Sequence, residues 1–334
     1  MKSKTNLDIT IQALNKKFGT GTIVRGQEVT EYLDIERVST GVFALDLALG
    51  GGLPKGRIVE IYGELGSGKS LISLLTAAQI SQNGGQVVLL DLEKSFDKNW
   101  AAKLGVNIDQ LLITQPDSAE QASDIIDSLV RSREVDLLIV DSVATFSTMR
   151  EQDESSEDQQ MGDTAKLTNK LMRKITAGLQ PLNLKDPTTY NKCIVLFINQ
   201  LREKIGVLYG NPETTPGGRG LPFHASIRIQ MKLGSLITKK EEILGRVMKF
   251  KVTKNKVAPP YKMGEFDFYL SGRVDNFKSI ILSGISLGII QQNGPYYSIE
   301  GQKYLGKDKL IEDLRQNKEF EQTLIKKIKQ LYLK

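Results

Sequence analysis

Gly63-Glu64-Leu65-Gly66-Ser67-Gly68-Lys69-Ser70 stands between the apolar run Ile58-Val59-Glu60-Ile61-Tyr62 and the helix-like stretch Leu71 to Ala78. A strand that stops at a glycine and restarts as a helix leaves a ring of backbone N–H groups beside a positive helix end. Together these bind the phosphates of a nucleotide. Gly63, Gly66 and Gly68 permit the tight curl, with Glu64, Leu65 and Ser67 filling it. Lys69 reaches the β- and γ-phosphates as a point charge, and the Ser70 hydroxyl joins the coordination shell of a Mg²⁺. The octapeptide reads as a P-loop.

Working outward, apolar runs alternate with helical stretches: Ile58 to Tyr62, Val87 to Leu92, Asp136 to Val140 and Cys193 to Ile198. Runs that are apolar throughout belong to parallel strands covered on both faces, so a mostly parallel central sheet is expected. Phe250 to Thr253 and Glu265 to Leu270 look like further strands. After about Asn276 the pattern changes to short helices and turns, ending in a Lys-rich helix from Glu319 to Lys334. At the other end, Leu7, Ile11, Leu14 and Phe18 fall at helical spacing before Gly19-Thr20-Gly21. This short amphipathic helix needs a surface to lie on, in its own core or on a neighbouring subunit.

Ligands of open parallel sheets bind beyond the carboxyl ends of the strands, so the residue that terminates each run matters. Leu137 to Val140 ends in Asp141, a Walker B type acid that holds the metal through water. Val87 to Leu92 ends in Glu93, able to polarise a water for attack on the γ-phosphate. Cys193 to Ile198 ends in Asn199-Gln200, whose amide can sense the γ-phosphate. The Gly-rich segment from Arg202 to Phe223 starts directly at that strand end and suits a ligand-gated nucleic-acid contact. A second loop, Met149 to Gly162, carries five acids in the eight residues Glu151 to Asp158, a solvated or partner-facing stretch. Trp100, the only tryptophan, either stacks on a base or packs into the core, and packing is favoured from the residues alone.

With 334 residues, 40% hydrophobic and 25% charged, the chain has material for one sizeable core plus smaller units. One cysteine, Cys193, excludes an internal disulfide, and with one histidine, His224, it excludes a Cys/His zinc site or a Ser-His-Asp triad. There is no 18-residue apolar run and Met1 to Thr10 is too polar for a signal peptide, so a cytoplasmic protein without membrane association is expected. The net charge of +6 is compatible with nucleic-acid binding.

The pattern resembles the bacterial RecA recombinases. Its marks are Ser39-Thr40-Gly41, Gly52 to Gly63, Gln115-Pro116-Asp117, Val140 to Ala144 and Phe197 to Arg202. The most specific is Lys204-Ile205-Gly206-Val207 running into Gly210 to Thr215 and Gly217-Gly218. Ring helicases share the P-loop but not this loop. The resemblance implies a RecA-like P-loop NTPase of α/β fold, with an N-terminal docking segment (1–30), an ATPase core (31–275) and a small C-terminal α+β domain (276–334). It implies a DNA-dependent ATPase that uses ATP and Mg²⁺, forms helical homo-oligomers on single-stranded DNA, and pairs and exchanges strands with double-stranded DNA in repair. The alternative is a regulatory scaffold that uses ATP as a switch to stimulate a repressor's self-cleavage. Glu93 falls at the family's catalytic glutamate and Gln200 at its γ-phosphate switch. Lys254 and Lys256 fall at lysines that reach a neighbour's nucleotide in trans, and Trp100 at an aromatic residue that stacks on adenine. Met161 and Gly162 fall in the first DNA loop. Arg202, Lys204, Ile205, Gly206, Val207, Gly217 and Gly218 fall in the second, and Phe223 and Arg228 at the subunit interface.

The chain departs from the family at several points. Glu64-Leu65-Gly66-Ser67 replaces Pro-Glu-Ser-Ser, Lys94 replaces a histidine, Pro222 a lysine and Leu270 a tyrosine. The C-terminus is basic, not acidic: Lys307 to Lys334 carries eight basic and five acidic residues.

Overall fold

The computed structural model describes residues 5–25, 35–146, 163–181, 186, 189–203, 213–299 and 301–332. Its strands, in chain order, begin with a small antiparallel pair, β1 (Arg37–Val38) and β2 (Leu53–Pro54). There follow β3 (Ile58–Gly63), β4 (Val87–Asp91), β5 (Leu112–Thr114), β6 (Leu137–Asp141) and β7 (Ile194–Gln200). Then come a second short pair, β8 (Arg202–Glu203) and β9 (Glu213–Thr214), and the long β10 (Ile227–Lys239), β11 (Glu242–Asn255) and β12 (Met263–Tyr269). The central sheet has eight strands in the order β12-β11-β10-β3-β7-β6-β4-β5. Every pairing from β10 to β5 is parallel, while β11 and β12 are antiparallel.

The apolar runs contain no polar alternation because both sheet faces are covered. Successive side chains point to opposite faces. Val59, Ile61, Leu89, Ile139 and Leu196 therefore join one buried cluster, which packs on Leu71, Ile72, Leu75 and Ala78 of helix Lys69–Gln82. Ile58, Val88, Leu90, Leu138, Val140 and Phe197 join a second, under helices Ala119–Ser132 and Asp163–Leu179.

Two expectations need amending. The apolar runs predict no strand between Phe223 and Phe250, yet β10 fills half of that interval and forms a long hairpin with β11. The short helices and turns expected after Asn276 include a three-stranded sheet, β13 (Gln291–Asn293), β14 (Tyr296–Ile299) and β15 (Gln302–Leu305). Helices Asn276–Ser286, Lys307–Leu314 and Lys318–Tyr332 share a third buried cluster there, around Ile280, Ile281, Leu310 and Ile328. Arg315 pairs both nitrogens with Asp275, the N-cap of helix Asn276–Ser286, at 3.0 and 2.7 Å.

The N-terminal helix forms as the spacing predicts. Helix Asn6–Phe18 starts in a capping box between Thr5 and Asp8 and stops at Gly19, whose φ of 107° suits glycine. None of its residues is buried, and Leu7, Ile9 and Phe18 are exposed.

Candidate active site

β3 runs into the P-loop at the carboxyl edge of the sheet. Gly66 and Gly68 take left-handed φ values of 71° and 86°, which other residues rarely adopt. At Gly63 a Cβ would lie 2.3 Å from the Met231 carbonyl oxygen on β10, so only glycine lets these strands close up. Gly68 caps helix Lys69–Gln82 without a side chain, which leaves the first N–H groups of the helix facing the loop. The Lys69 Nζ donates to the Glu64 carbonyl at 2.8 Å and Ser67 Oγ to the same carbonyl at 2.7 Å. Glu64, Leu65 and Gly66 form the exposed tip, with Leu65 88% exposed.

The strand-end residues converge beside it. Ser70 Oγ donates to Asp141 Oδ2 at 2.9 Å. Ser142 Oγ donates to Glu93 Oε1 at 2.5 Å, and Gln200 Nε2 to the same oxygen at 3.3 Å. Burial pushes the Asp141 carboxyl up to about 6; the Ser70 bond pulls the other way, while the negative charges of Glu93 and Asp91 push it further up. Lys69 is lowered by its burial, against the raising pull of Asp141 and Glu93. A hydroxyl and a carboxylate oxygen in a cleft with surplus negative charge suit a hard divalent cation, so Ser70 and Asp141 fit Mg²⁺.

Trp100, on helix Lys98–Lys103, packs on a neighbouring ring and faces a cavity. Its ring meets Phe268 edge to face at 6.0 Å. It also lines a cavity of about 120 Å³ with Ser70, Asp91, Asp97 and Asp141. A larger trough, about 630 Å³, lies on the face of β10–β12 between Lys232, Lys249, Lys251 and Glu265 and includes none of these strand-end groups.

The two loops that the resemblance assigns to DNA fall partly among the described residues. Met161, Gly162, Lys204, Ile205, Gly206 and Val207 lie outside the described residues, as does the acidic run of the first loop. Arg202 is exposed on β8, two residues after Gln200, and β8 pairs with β9 across the second loop. Gly217 and Gly218, both left-handed, sit where a Cβ would press on Val143 at 2.9 Å and Ala165 at 3.0 Å. The second loop thus returns against the helix that follows the first.

Lys254 and Lys256 lie at the opposite edge of the sheet. Lys254 pairs in register with Arg228, which pairs with Glu60, three residues before Gly63. Its Nζ donates to the carbonyls of Pro222 and Phe223, at 2.8 Å each. Burial, then the charges of Lys256 and Arg228, push its ammonium down to about 8. Phe223 is exposed on helix Gly220–His224. Arg228 is committed within the chain, donating to buried Glu60 at 2.5 Å and stacking on Tyr62. Reading by residue missed Ser142, Asp91 and Gln115; for Ser142 the signal was its place next to Asp141.

A Gly-rich loop between a parallel strand and a helix, with an acid ending β6, the next strand but one in the sheet, defines a P-loop NTPase. Within that class the chain matches the RecA N-terminal domain over residues 5–275. It is 40% identical over 332 residues to Protein RecA of Thioalkalivibrio sulfidiphilus, covering 99% of this chain and 94% of that one. It is 42% identical over 313 residues to Protein RecA of Delftia acidovorans, covering 93% and 83%, and of Legionella pneumophila, covering 93% and 87%. The chain belongs to the RecA family. It is an ATP-binding, DNA-dependent ATPase of the recombinase class, acting in DNA repair, binding DNA and associating with itself. Among the described residues no helix is long and apolar enough to cross a membrane.

Proposed function

We propose that the chain assembles in the cytoplasm as a helical filament on single-stranded DNA, with ATP between adjacent protomers, and pairs and exchanges strands with homologous duplex DNA. The observation that carries this reading is the Gln200–Glu93 hydrogen bond. It joins Glu93, read as the group that activates water, to the strand end from which the second loop departs, so in this reading nucleotide state and DNA contact share one strand. Lys69 and the uncapped helix end hold the β- and γ-phosphates. Ser70, and Asp141 through water, hold Mg²⁺, which supplies positive charge to the phosphate oxygens when bound. Glu93 takes the proton of the attacking water while Ser142 orients its carboxylate. Gln200 turns toward the γ-phosphate and carries Arg202 and the second loop with it. Trp100 offers a ring to the adenine.

The exposed apolar face of helix Asn6–Phe18, unburied in its own chain, supports docking on an adjacent core. The regulatory-scaffold alternative is not favoured by the family membership, and a self-cleaving repressor as partner rests on the resemblance alone. ATP turnover with and without single-stranded DNA, paired with a strand-exchange reaction, tests the proposal. Stimulated turnover and ATP-dependent exchange are expected; turnover that ignores DNA contradicts it.

Lys254 and Lys256 are proposed to act on the neighbour's nucleotide, because Lys254 lies two strands from β3, level with Glu60 and turned to the Pro222 and Phe223 carbonyls, away from its own P-loop in register. Lys254→Ala/Lys256→Ala subunits and Lys69→Ala subunits are each expected to be inactive. Mixed in equal amounts, they should recover up to about a quarter of wild-type turnover, since random head-to-tail interfaces then pair intact halves. No recovery in verified mixed filaments argues against action in trans.

The basic C-terminus is proposed to attract duplex DNA. Helix Lys318–Tyr332 buries Leu324 and Ile328 and leaves Lys326, Lys327 and Lys329 exposed. Replacing these three and Lys334 with alanine is expected to weaken duplex binding and flatten its salt dependence, by up to about 0.9 in slope per lost phosphate contact. Equal slopes for the two proteins reduce the segment to a solvated helix face.

A further inference from the structure

We propose that Gln115 is a positioning residue for the ATPase, acting through Asp91 to fix the turn that carries Glu93. The inference rests on the reading of Glu93 as the group that activates water. Asp91, the last residue of β4, is 2% exposed. Its Oδ1 accepts the Ser95 N–H at 3.0 Å, and its Oδ2 accepts the Phe96 N–H at 3.2 Å. Its carbonyl accepts the Lys94 N–H at 3.4 Å. The turn from Leu92 to Phe96 is therefore wound around one buried carboxylate, with Glu93 inside it. From the other side, the Leu92 and Glu93 N–H groups both donate to the Asp141 carbonyl, at 2.7 and 3.2 Å. The turn needs such fastening, because Lys94 sits at a φ of 53°, in the left-handed region that lysine rarely occupies.

Gln115 completes the arrangement. β5 runs parallel to β4 with Leu90 opposite Thr114, so the next residue of each strand falls side by side. Gln115 Nε2 donates to Asp91 Oδ2 at 2.9 Å. Among the described residues it is the side-chain donor on that carboxylate, and a charge-assisted bond of this kind fixes orientation strongly. An acid here would repel Asp91, and a small side chain would hand its oxygen to water. Either change lets the Leu92–Phe96 turn shift, and a displacement of about 1 Å at a reacting group is enough to cost about a hundredfold in rate.

Gln115 is itself exposed, so its replacement leaves the core untouched. The test uses the full chain with saturating single-stranded DNA. Gln115→Ala and Gln115→Glu should lower kcat by about 10- to 100-fold, with the KM for ATP and DNA binding supported by a slowly hydrolysed ATP analogue unchanged. Melting temperatures of both variants confirm that the fold is intact. In a Glu93→Gln background, Gln115→Ala should cause no further loss, because the two residues act through one group. An unchanged kcat, or a raised KM with kcat intact, overturns the proposal, the latter by moving the effect to the Phe96–Trp100 side of the cavity. Multiplicative losses in the double variant overturn it as well. If Glu93→Gln keeps its turnover, the reading of Glu93 fails and this inference with it. If Glu93→Gln is inactive while Gln115→Ala is fully active, only the inference fails.

Discussion

Replacing Lys69 with alanine is expected to abolish ATP-dependent tight binding to single-stranded DNA and to lower turnover by at least about 10²–10³-fold. Lys69 is 8% exposed, and among the described residues its ammonium donates to the Glu64 carbonyl of its own loop. A cation satisfied by a neutral carbonyl is easily drawn to phosphate, where its interaction gains from the low dielectric of the cleft. Its removal also leaves Asp141 and Glu93, both of which feel Lys69, as uncompensated negative charge facing the phosphates. The loss therefore exceeds that of one hydrogen bond. Binding of a labelled single strand, with and without ATP, reads the effect. ATP-stimulated binding at the wild-type level in this variant would sink the assignment of the P-loop as the switch.

Glu93→Gln is expected to separate two activities that Lys69→Ala removes together. The glutamine oxygen can still accept from Ser142 and Gln200, so the hydrogen-bonded arrangement survives. An amide is a far weaker base than a carboxylate, so turnover should fall by roughly 10²–10⁴-fold. ATP-dependent filaments on single-stranded DNA should persist, and for longer than those of the unaltered protein. Sedimentation of filaments together with phosphate release distinguishes the two. Turnover within a few-fold of normal places the base elsewhere.

Much of this site is legible in the residues because it is assembled from strand ends. Asp141, Glu93 and Gln200 each follow an uninterrupted apolar run, and parallel pairing brings the ends of such runs to one edge whatever the loops do. β3, β4, β6 and β7 were legible for the same reason. β10 does not stand out as a solid apolar run, because Ile227, Ile229, Met231 and Leu233 alternate strictly with Arg228, Gln230 and Lys232, a period-two pattern. β5 is three residues long with an exposed face, and β13 is entirely polar, so neither stands out from its surroundings. Asp91 and Gln115 could not be paired from sequence, because their contact depends on the register of two strands separated by a helix. The commitment of Arg228 to Glu60 was hidden likewise, since nothing in either segment announces the other.

That last pair bears on how sequences of this kind can diverge. Glu60 is fully buried, with one oxygen held by Arg228 and the other by Asn199, which also bonds the Pro216 carbonyl. Loss of Arg228 alone strands a carboxylate in the sheet, at a cost of roughly 3–5 kcal/mol, a sizeable share of a domain's whole stability. Loss of Glu60 alone leaves a guanidinium with no counter-charge against Tyr62. Single steps away from the trio thus pass through poorly folded intermediates, whereas joint replacement by apolar residues need not. The three positions form an epistatic lock, and their history should be written in simultaneous changes or in none.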